Sequence, residues 1–385
     1  MPALPGEDRP VVPVAAIYGA NASGKSNLLD GLNFMRYAAL GSLGTPDAFR
    51  LGDVSAVATY VVELVTGGTR YTYGFVVDGE AVAEEWLFAY PGKRRRVIFE
   101  RDRGRLKLGS TVSELKSKLA VLEELLRQDT LLISMCDRLD LGPLMPVFSW
   151  FANTLQPLTV GADEPVDALG HRVGRFLHRN PQKTQPLRGL LAAADTGVTD
   201  VLVEEVEGPV PGSDHYLRRI RAAAPGEAKS FSHFKIVLGH GGDGVPFDLR
   251  QESAGTQSWL GLLPTVLTAL ESGNVLVVDE IDTSLHPMLT AKLVGLFQNE
   301  ETNPRRAQLI FTTHDTSLLG TMLGGEVLER DQIWFVDKNA DGASSLYPLT
   351  DFKPRKDQNT ERRYLVGSYG AVPVLGDFAQ AVQGR

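Results

Sequence analysis

A chain of 385 residues, 43% hydrophobic and 22% charged, holds apolar material for one large core or two modest ones and lacks the composition of a disordered or fibrous chain. No stretch approaches the roughly 20 consecutive apolar residues that span a bilayer, and the start lacks a basic segment followed by an apolar one, so the expectation is a cytoplasmic protein with no membrane contact. The net charge of −8 argues against a surface coated for nucleic acid, although a local basic patch stays compatible with DNA. The single cysteine, Cys136, excludes an intramolecular disulfide and a cysteine-clustered zinc site, and reads as a small buried apolar residue.

After a loose segment from Met1 to Arg9, the β-branched run from Val11 to Tyr18 ends at Gly19. Apolar residues at helical spacing then follow from Lys25 through Leu28, Leu29, Leu32 and Met35, which predicts strand, glycine-rich turn, helix. Between Ala56 and Glu100, apolar and polar residues alternate in runs divided by Gly67-Gly68, Asp78-Gly79 and Pro91-Gly92, the pattern of antiparallel hairpins. Leu115, Leu119, Leu122, Leu125 and Leu126 predict a helix between Ser113 and Leu126, with helical or irregular texture continuing to about Ala194. Gly, Pro and small residues make Glu207 to Ser230 a connector.

From Phe231 the alternation returns: strands at Lys235–Leu238, Asn274–Val278, Gln308–Thr312 and Gln332–Val336, and helices at Gln257–Leu270 and Met288–Phe297. Such alternation predicts α/β layers on a mainly parallel sheet. Asp341-Gly342 reads as the turn between the last of these strands and another from Ser345 to Leu349. The expected organisation is residues 1–110 as a first part with the hairpins, 111–200 as an inserted helical lobe, and 201–385 as the second part.

The segment Gly19-Ala20-Asn21-Ala22-Ser23-Gly24-Lys25-Ser26, followed by Asn27, satisfies G-x-x-x-x-G-K-[ST] between a predicted strand and a predicted helix. In that setting the glycines let backbone N–H groups fold around a phosphate and the helix N-terminus adds a favourable dipole. Lys25 reaches the β- and γ-phosphates, and the Ser26 hydroxyl ligates Mg²⁺. The competing reading, a chance glycine-rich turn, is weakened by the flanking strand and helix. Far downstream, Val275 to Val278 deliver Asp279 and Glu280 at a strand end, which suits Asp279 to Mg²⁺ and Glu280 to a general base acting on water. Ser253-Ala254-Gly255-Thr256-Gln257 opens a predicted helix, and Ile310 to Thr313 lead into His314. Each of those last two features alone reads as structural.

In order, the phosphate loop, a long insertion, the Ser-x-Gly-x-Gln turn, the Asp-Glu strand and the strand ending in His resemble the heads of ABC-type ATPases. Within that class the chain is similar to the soluble SMC-, RecF- and RecN-like group and to the RloA-like AAA family ATPases of restriction and anti-phage loci. The similar stretches run from Ile17 to Leu29, Ser253 to Pro287, Gln308 to Leu319 and Asp331 to Lys338, and include the tail from Tyr364 to Pro373.

The resemblance implies a P-loop NTPase fold of ABC-head type, a mixed sheet with an antiparallel hairpin subdomain and an inserted helical lobe. It implies ATP and Mg²⁺ as ligands, ATP hydrolysis, and an ATP-dependent homodimer in which Ser253 and Gly255 meet the γ-phosphate held by the other protomer. It also makes Asp282 part of the D-loop, His314 the γ-phosphate switch, and a defence role with a separately encoded nuclease or DNA as partner the expectation. A slow nucleotide-driven clamp on DNA or a nuclease is the competing reading, and an ATP-driven transporter subunit is disfavoured by the hairpins. Relatives of this kind carry a strand region ahead of the phosphate-loop strand, where only a few residues precede Val11 here. Gln128 is the candidate for a Q-loop glutamine. The chain after His314 is too short for the Toprim nuclease that overcoming-lysogenization proteins attach to such a head.

Lys93 to Arg96, continued by Arg101, Arg103 and Arg105, reads either as a solvated hairpin end or as a contact for DNA phosphates. His286 before Pro287 reads as shaping its loop, and Trp86, Trp150, Trp259 and Trp334 as core or interface anchors.

Overall fold

Strand β1 (Val14–Gly19) runs into helix α1 (Lys25–Ala39), as the apolar run and the helical spacing dictate. The alternating region forms β2 (Ala58–Thr66), β3 (Thr69–Asp78), β4 (Ala81–Tyr90), β5 (Arg96–Asp102) and β6 (Arg105–Leu108), five strands paired antiparallel in sequence order. Short helices α2 (Ser113–Lys116), α3 (Leu119–Leu125) and α4 (Met145–Ser149) lead to β7 (Leu155–Thr159). Then come α5 (Val166–Arg179), α6 (Thr184–Ala193), and β8 (Val198–Glu207), β9 (Ser232–His240) and β10 (Val245–Asp248), which pair antiparallel in the order β10-β9-β8. The chain continues with α7 (Ala254–Ser272), β11 (Val275–Asp279), α8 (Pro287–Gln298), β12 (Gln308–Thr312), β13 (Ile333–Lys338), β14 (Ser344–Pro348), α9 (Thr360–Leu365) and α10 (Phe378–Val382). The computed structural model describes all residues except 1–10, 45–56, 80, 93, 160–163, 209–231, 284, 356–357 and 383–385. The loose start, most of the connector, Lys93 and Ser284 therefore lie outside the described residues.

The central sheet has the order β14-β13-β1-β12-β11-β7. All neighbours are parallel except β14, which folds back antiparallel on β13 through the turn at Asp341-Gly342. Parallel strands covered on both faces need apolar side chains on both, and the two-residue period divides them cleanly. Val14, Ala16 and Tyr18, with Leu276, Val278, Leu309, Phe311, Ile333 and Phe335, join one core with α5, α7 and α8. Ile17, Val275, Val277, Leu155 and Val336 face the other, which contains α1, the five-stranded sheet and the segment from Leu131 to Phe151. The fold is thus an α/β mixed sheet with two covering layers, one of them carrying the antiparallel hairpins.

Two sequence expectations change. The helix expected from Ser113 to Leu126 is two short helices separated at Ser117 and Lys118. The segment 111–200 is also not purely helical: β7 lies inside it and pairs with β11 as an edge of the central sheet, while α5 packs on β9. The run Leu155-Gln156-Pro157-Leu158-Thr159 carries a proline, and an edge position tolerates that missing donor.

Candidate functional site

Ligands of open α/β sheets bind outside the carboxyl ends of the strands, where neighbouring strands lead away in different directions. Here β1 lies between β12 and β13, and the register Ile17↔Thr312 and Val278↔Phe311 brings the carboxyl ends of β1, β12 and β11 level. The loop after β1 turns at once: Ala22 and Gly24 have φ of 59° and 101°, and the Ser23 N–H donates to the Ala20 carbonyl at 3.2 Å. Gly24 is required there twice over, by its left-handed φ and because a Cβ would lie 2.4 Å from the Ser344 Oγ. A Cβ on Gly19 would fall 2.5 Å from the Ser23 Oγ and 2.6 Å from the Val336 carbonyl oxygen.

Lys25 opens α1 with its side chain buried, and its Nζ donates to the Gly19 and Ala20 carbonyls at 3.0 and 3.1 Å. Burial lowers the pKa of this amine, while the carboxylates of Glu280, Asp279 and Asp282 pull it back up. Asn21, Ala22, Ser26 and Asn27 are exposed. The Ser23 hydroxyl is buried and makes no hydrogen bond among the described residues, whereas its carbonyl accepts from the Ser344 Oγ at 2.6 Å. Ser344 opens β14, and nothing in the sequence pattern marks it.

At the end of β11 the Asp279 Oδ1 accepts a hydrogen bond of 2.5 Å from the Thr312 Oγ1. Glu280 follows in the left-handed region with φ 47° and its side chain exposed. The Asp282 carboxylate accepts from the His314 N–H at 3.2 and 3.3 Å, and the Thr313 N–H donates to the Ile17 carbonyl at 3.1 Å. His314 is exposed just beyond β12. Lys25, Asp279, Glu280, Asp282 and His314 thus come together at one rim of the sheet, from segments far apart in the chain.

Ser253 and Gly255 lie elsewhere, at the N-terminus of α7. The exposed Ser253 is the N-cap, its Oγ accepting from the Thr256 N–H at 3.1 Å. His286 caps α8 in the same way, its Nδ1 accepting from the Met288 N–H at 3.3 Å ahead of Pro287. Gln128 is exposed on a loop whose carbonyl receives the Val82 N–H at 2.7 Å, so its backbone docks on the hairpin sheet. The basic cluster is corrected at one member: Arg101 is buried, lies 3.8 Å from the buried Glu85, and donates to the Thr130 and Arg127 carbonyls. Arg94, Arg95, Arg96, Arg103 and Arg105 are exposed.

The residues of the loop fit a polyphosphate with its Mg²⁺. Among the described residues the buried hydroxyl of Ser23 has no hydrogen-bond partner, a Cβ on Gly19 or Gly24 would crowd its neighbours, and the Lys25 ammonium donates to two carbonyls of the same loop.

The family described as "AAA domain, putative AbiEii toxin, Type IV TA system" matches residues 14–320. That stretch takes in the phosphate loop, Ser253, Asp279, Glu280 and His314, and the chain belongs to this family. Among solved structures, the SMC head domain from Thermotoga maritima is 13% identical, with 87% of this chain and 89% of that chain covered and a TM-score of 0.40. The SMC head bound to the C-terminal winged-helix domain of ScpA is 15% identical over 89% and 92% with a TM-score of 0.39, and RecF with ATP is 15% identical over 88% and 92% with a TM-score of 0.30. No curated protein sequence matches the chain. Among the described residues no helix is long and apolar enough to cross a membrane.

Proposed function

We propose that the chain binds ATP with Mg²⁺ and hydrolyses it as an ABC-type ATPase head that works as a nucleotide-dependent dimer. The observation that carries this reading is the convergence at one sheet rim of the buried Lys25 with Glu280, Asp279 and Asp282. Gly19 to Gly24 and the first turn of α1 offer backbone N–H groups to the phosphates, aided by the helix dipole. Lys25 exchanges the Gly19 and Ala20 carbonyls for the β- and γ-phosphates, a stronger charge-assisted partner. Ser26 and Asp279 would hold Mg²⁺, which neutralises charge on the phosphate oxygens when bound.

Glu280 orients a water and takes its proton as the new oxygen–phosphorus bond forms and the bond to the bridging oxygen of ADP breaks. His314 faces the γ-phosphate as a donor. Ser253 and Gly255, at a separate exposed helix N-terminus, supply the anion-binding surface of the second protomer. The resemblance to RloA-like ATPases of anti-phage loci supports a defence role, with a separately encoded nuclease as partner. The family's description, which names a toxin of a toxin–antitoxin system, is consistent with it.

Light scattering of the wild type, Glu280→Gln and Ser253→Arg with and without Mg·ATP tests the composite site. The expected result is an ATP-dependent dimer that Glu280→Gln traps and Ser253→Arg abolishes. A wild type that stays monomeric while turning ATP over, with Ser253→Arg harmless, overturns the dimeric site and leaves only the phosphate-loop reading.

A further inference from the structure

Three consecutive residues at the exit of β11 are tied to one residue of β12. The Thr312 Oγ1 donates to the Asp279 Oδ1 at 2.5 Å and accepts the Glu280 N–H at 2.7 Å, and the Thr312 carbonyl accepts the Ile281 N–H at 3.1 Å. Thr312 is fully buried, and its own strand is locked against β1 at Ile17. A threonine hydroxyl has one proton to give and lone pairs to receive, so this single oxygen fixes the rotation of one carboxylate and the backbone that launches the next.

The second task carries a cost that needs an anchor. Glu280 sits at φ 47°, a conformation that disfavours any residue with a Cβ. It persists because the Glu280 N–H is held by Thr312 on one side and the Glu280 carbonyl by the Thr283 N–H at 2.9 Å on the other. Released from Thr312, the residue would relax toward φ below zero and its carboxylate would swing away from the rim.

We propose that Thr312 is the positioning residue of the site, setting the Asp279 carboxylate for the metal and the direction of the Glu280 side chain through one buried hydroxyl. The assignment rests on the ATPase reading and adds a residue to it. Thr312 is fully buried and its side-chain bonds run to the β11 exit rather than to the phosphate loop, so its removal should act on turnover and on the Mg²⁺ requirement while leaving nucleotide affinity, which depends on the phosphate loop, in place.

The test compares Thr312→Val, which keeps the shape and loses the hydroxyl, with Thr312→Ser, which keeps the hydroxyl. Phosphate release against ATP and against Mg²⁺ is measured alongside binding of ATP by thermal shift. Thr312→Val should lose about tenfold or more in kcat and need more Mg²⁺ for half-maximal rate, with ATP affinity within about threefold of wild type, and Thr312→Ser should keep wild-type turnover. Should Thr312→Val fail to fold, Thr312→Ser decides alone: folded protein with turnover lost overturns the assignment. A wild type that turns ATP over with Thr312→Val indistinguishable from it overturns the positioning role alone. A wild type that binds Mg·ATP and releases no phosphate overturns the ATPase reading and the assignment with it.

Discussion

The hydroxyl of Ser344, at the start of β14, donates a 2.6 Å hydrogen bond to the carbonyl of Ser23 in the phosphate loop, across 321 positions of sequence. β14 hangs on β13, which is itself the parallel neighbour of β1. The loop that leaves β1 is therefore braced by a hairpin two strands away, and Gly24 is needed partly to let that serine approach.

Loss of this brace should loosen the loop without unfolding the sheet. Ser344→Ala removes one donor to a backbone carbonyl, and the expected effect is a Kd for Mg·ATP raised by about three- to tenfold with little change in thermal stability. Gly24→Ala meets both the left-handed φ and the serine, so it should abolish measurable binding. Titration with ATP by calorimetry distinguishes the two.

The buried pair of Glu85 and Arg101 makes a separate claim about stability. Glu85 accepts from the Tyr73 hydroxyl and from the Leu132 and Ile133 N–H groups, and so pins the segment before Cys136 to the hairpin sheet. Burial pushes its carboxyl pKa up, against the pull of those donors and of Arg101. Arg101→Met leaves that carboxylate without its cation and should cost about 3–5 kcal/mol in urea unfolding at neutral pH. A carboxyl whose pKa is raised in the folded state contributes most when protonated, and loses stability as pH rises through the folded value. The deficit of Arg101→Met should therefore shrink as pH falls through the raised folded value of Glu85 into the acidic range.

Cys136 is buried, and burial raises its thiol to about 12. It should stay protonated near pH 8, and a thiol reagent should modify it at least about a hundredfold more slowly in the native protein than in urea. Rapid labelling of the native protein, followed by absorbance, would contradict its placement under the hairpin sheet.

The central elements are legible in the sequence because each is local. The apolar runs of β1, β11 and β12 and the helical spacing of α1 and α7 give boundaries within a few residues of those observed. What escapes is what depends on partners. β7 carries a proline that only its edge position excuses, and the leucines around Ser117 make one helical pattern that the fold breaks into two.

Arg101 sits in a basic run that reads as solvated, and is buried because β5 alternates and Glu85 faces it from β4. The residues named for the phosphate loop and the β11 rim do converge. Thr312 and Ser344, which hold that rim and that loop, carry no sequence mark, since a threonine in a strand and a serine after a turn are ordinary there.

The most direct test of the ATPase reading is the rate of phosphate release from Mg·ATP by the wild type, Lys25→Ala and Glu280→Gln. The expected result is turnover in the wild type, loss of both binding and turnover in Lys25→Ala, and retained binding with turnover reduced by about a hundredfold or more in Glu280→Gln. Turnover that survives both substitutions would contradict it, because the rim built by Lys25, Asp279 and Glu280 would then not be where ATP is cleaved.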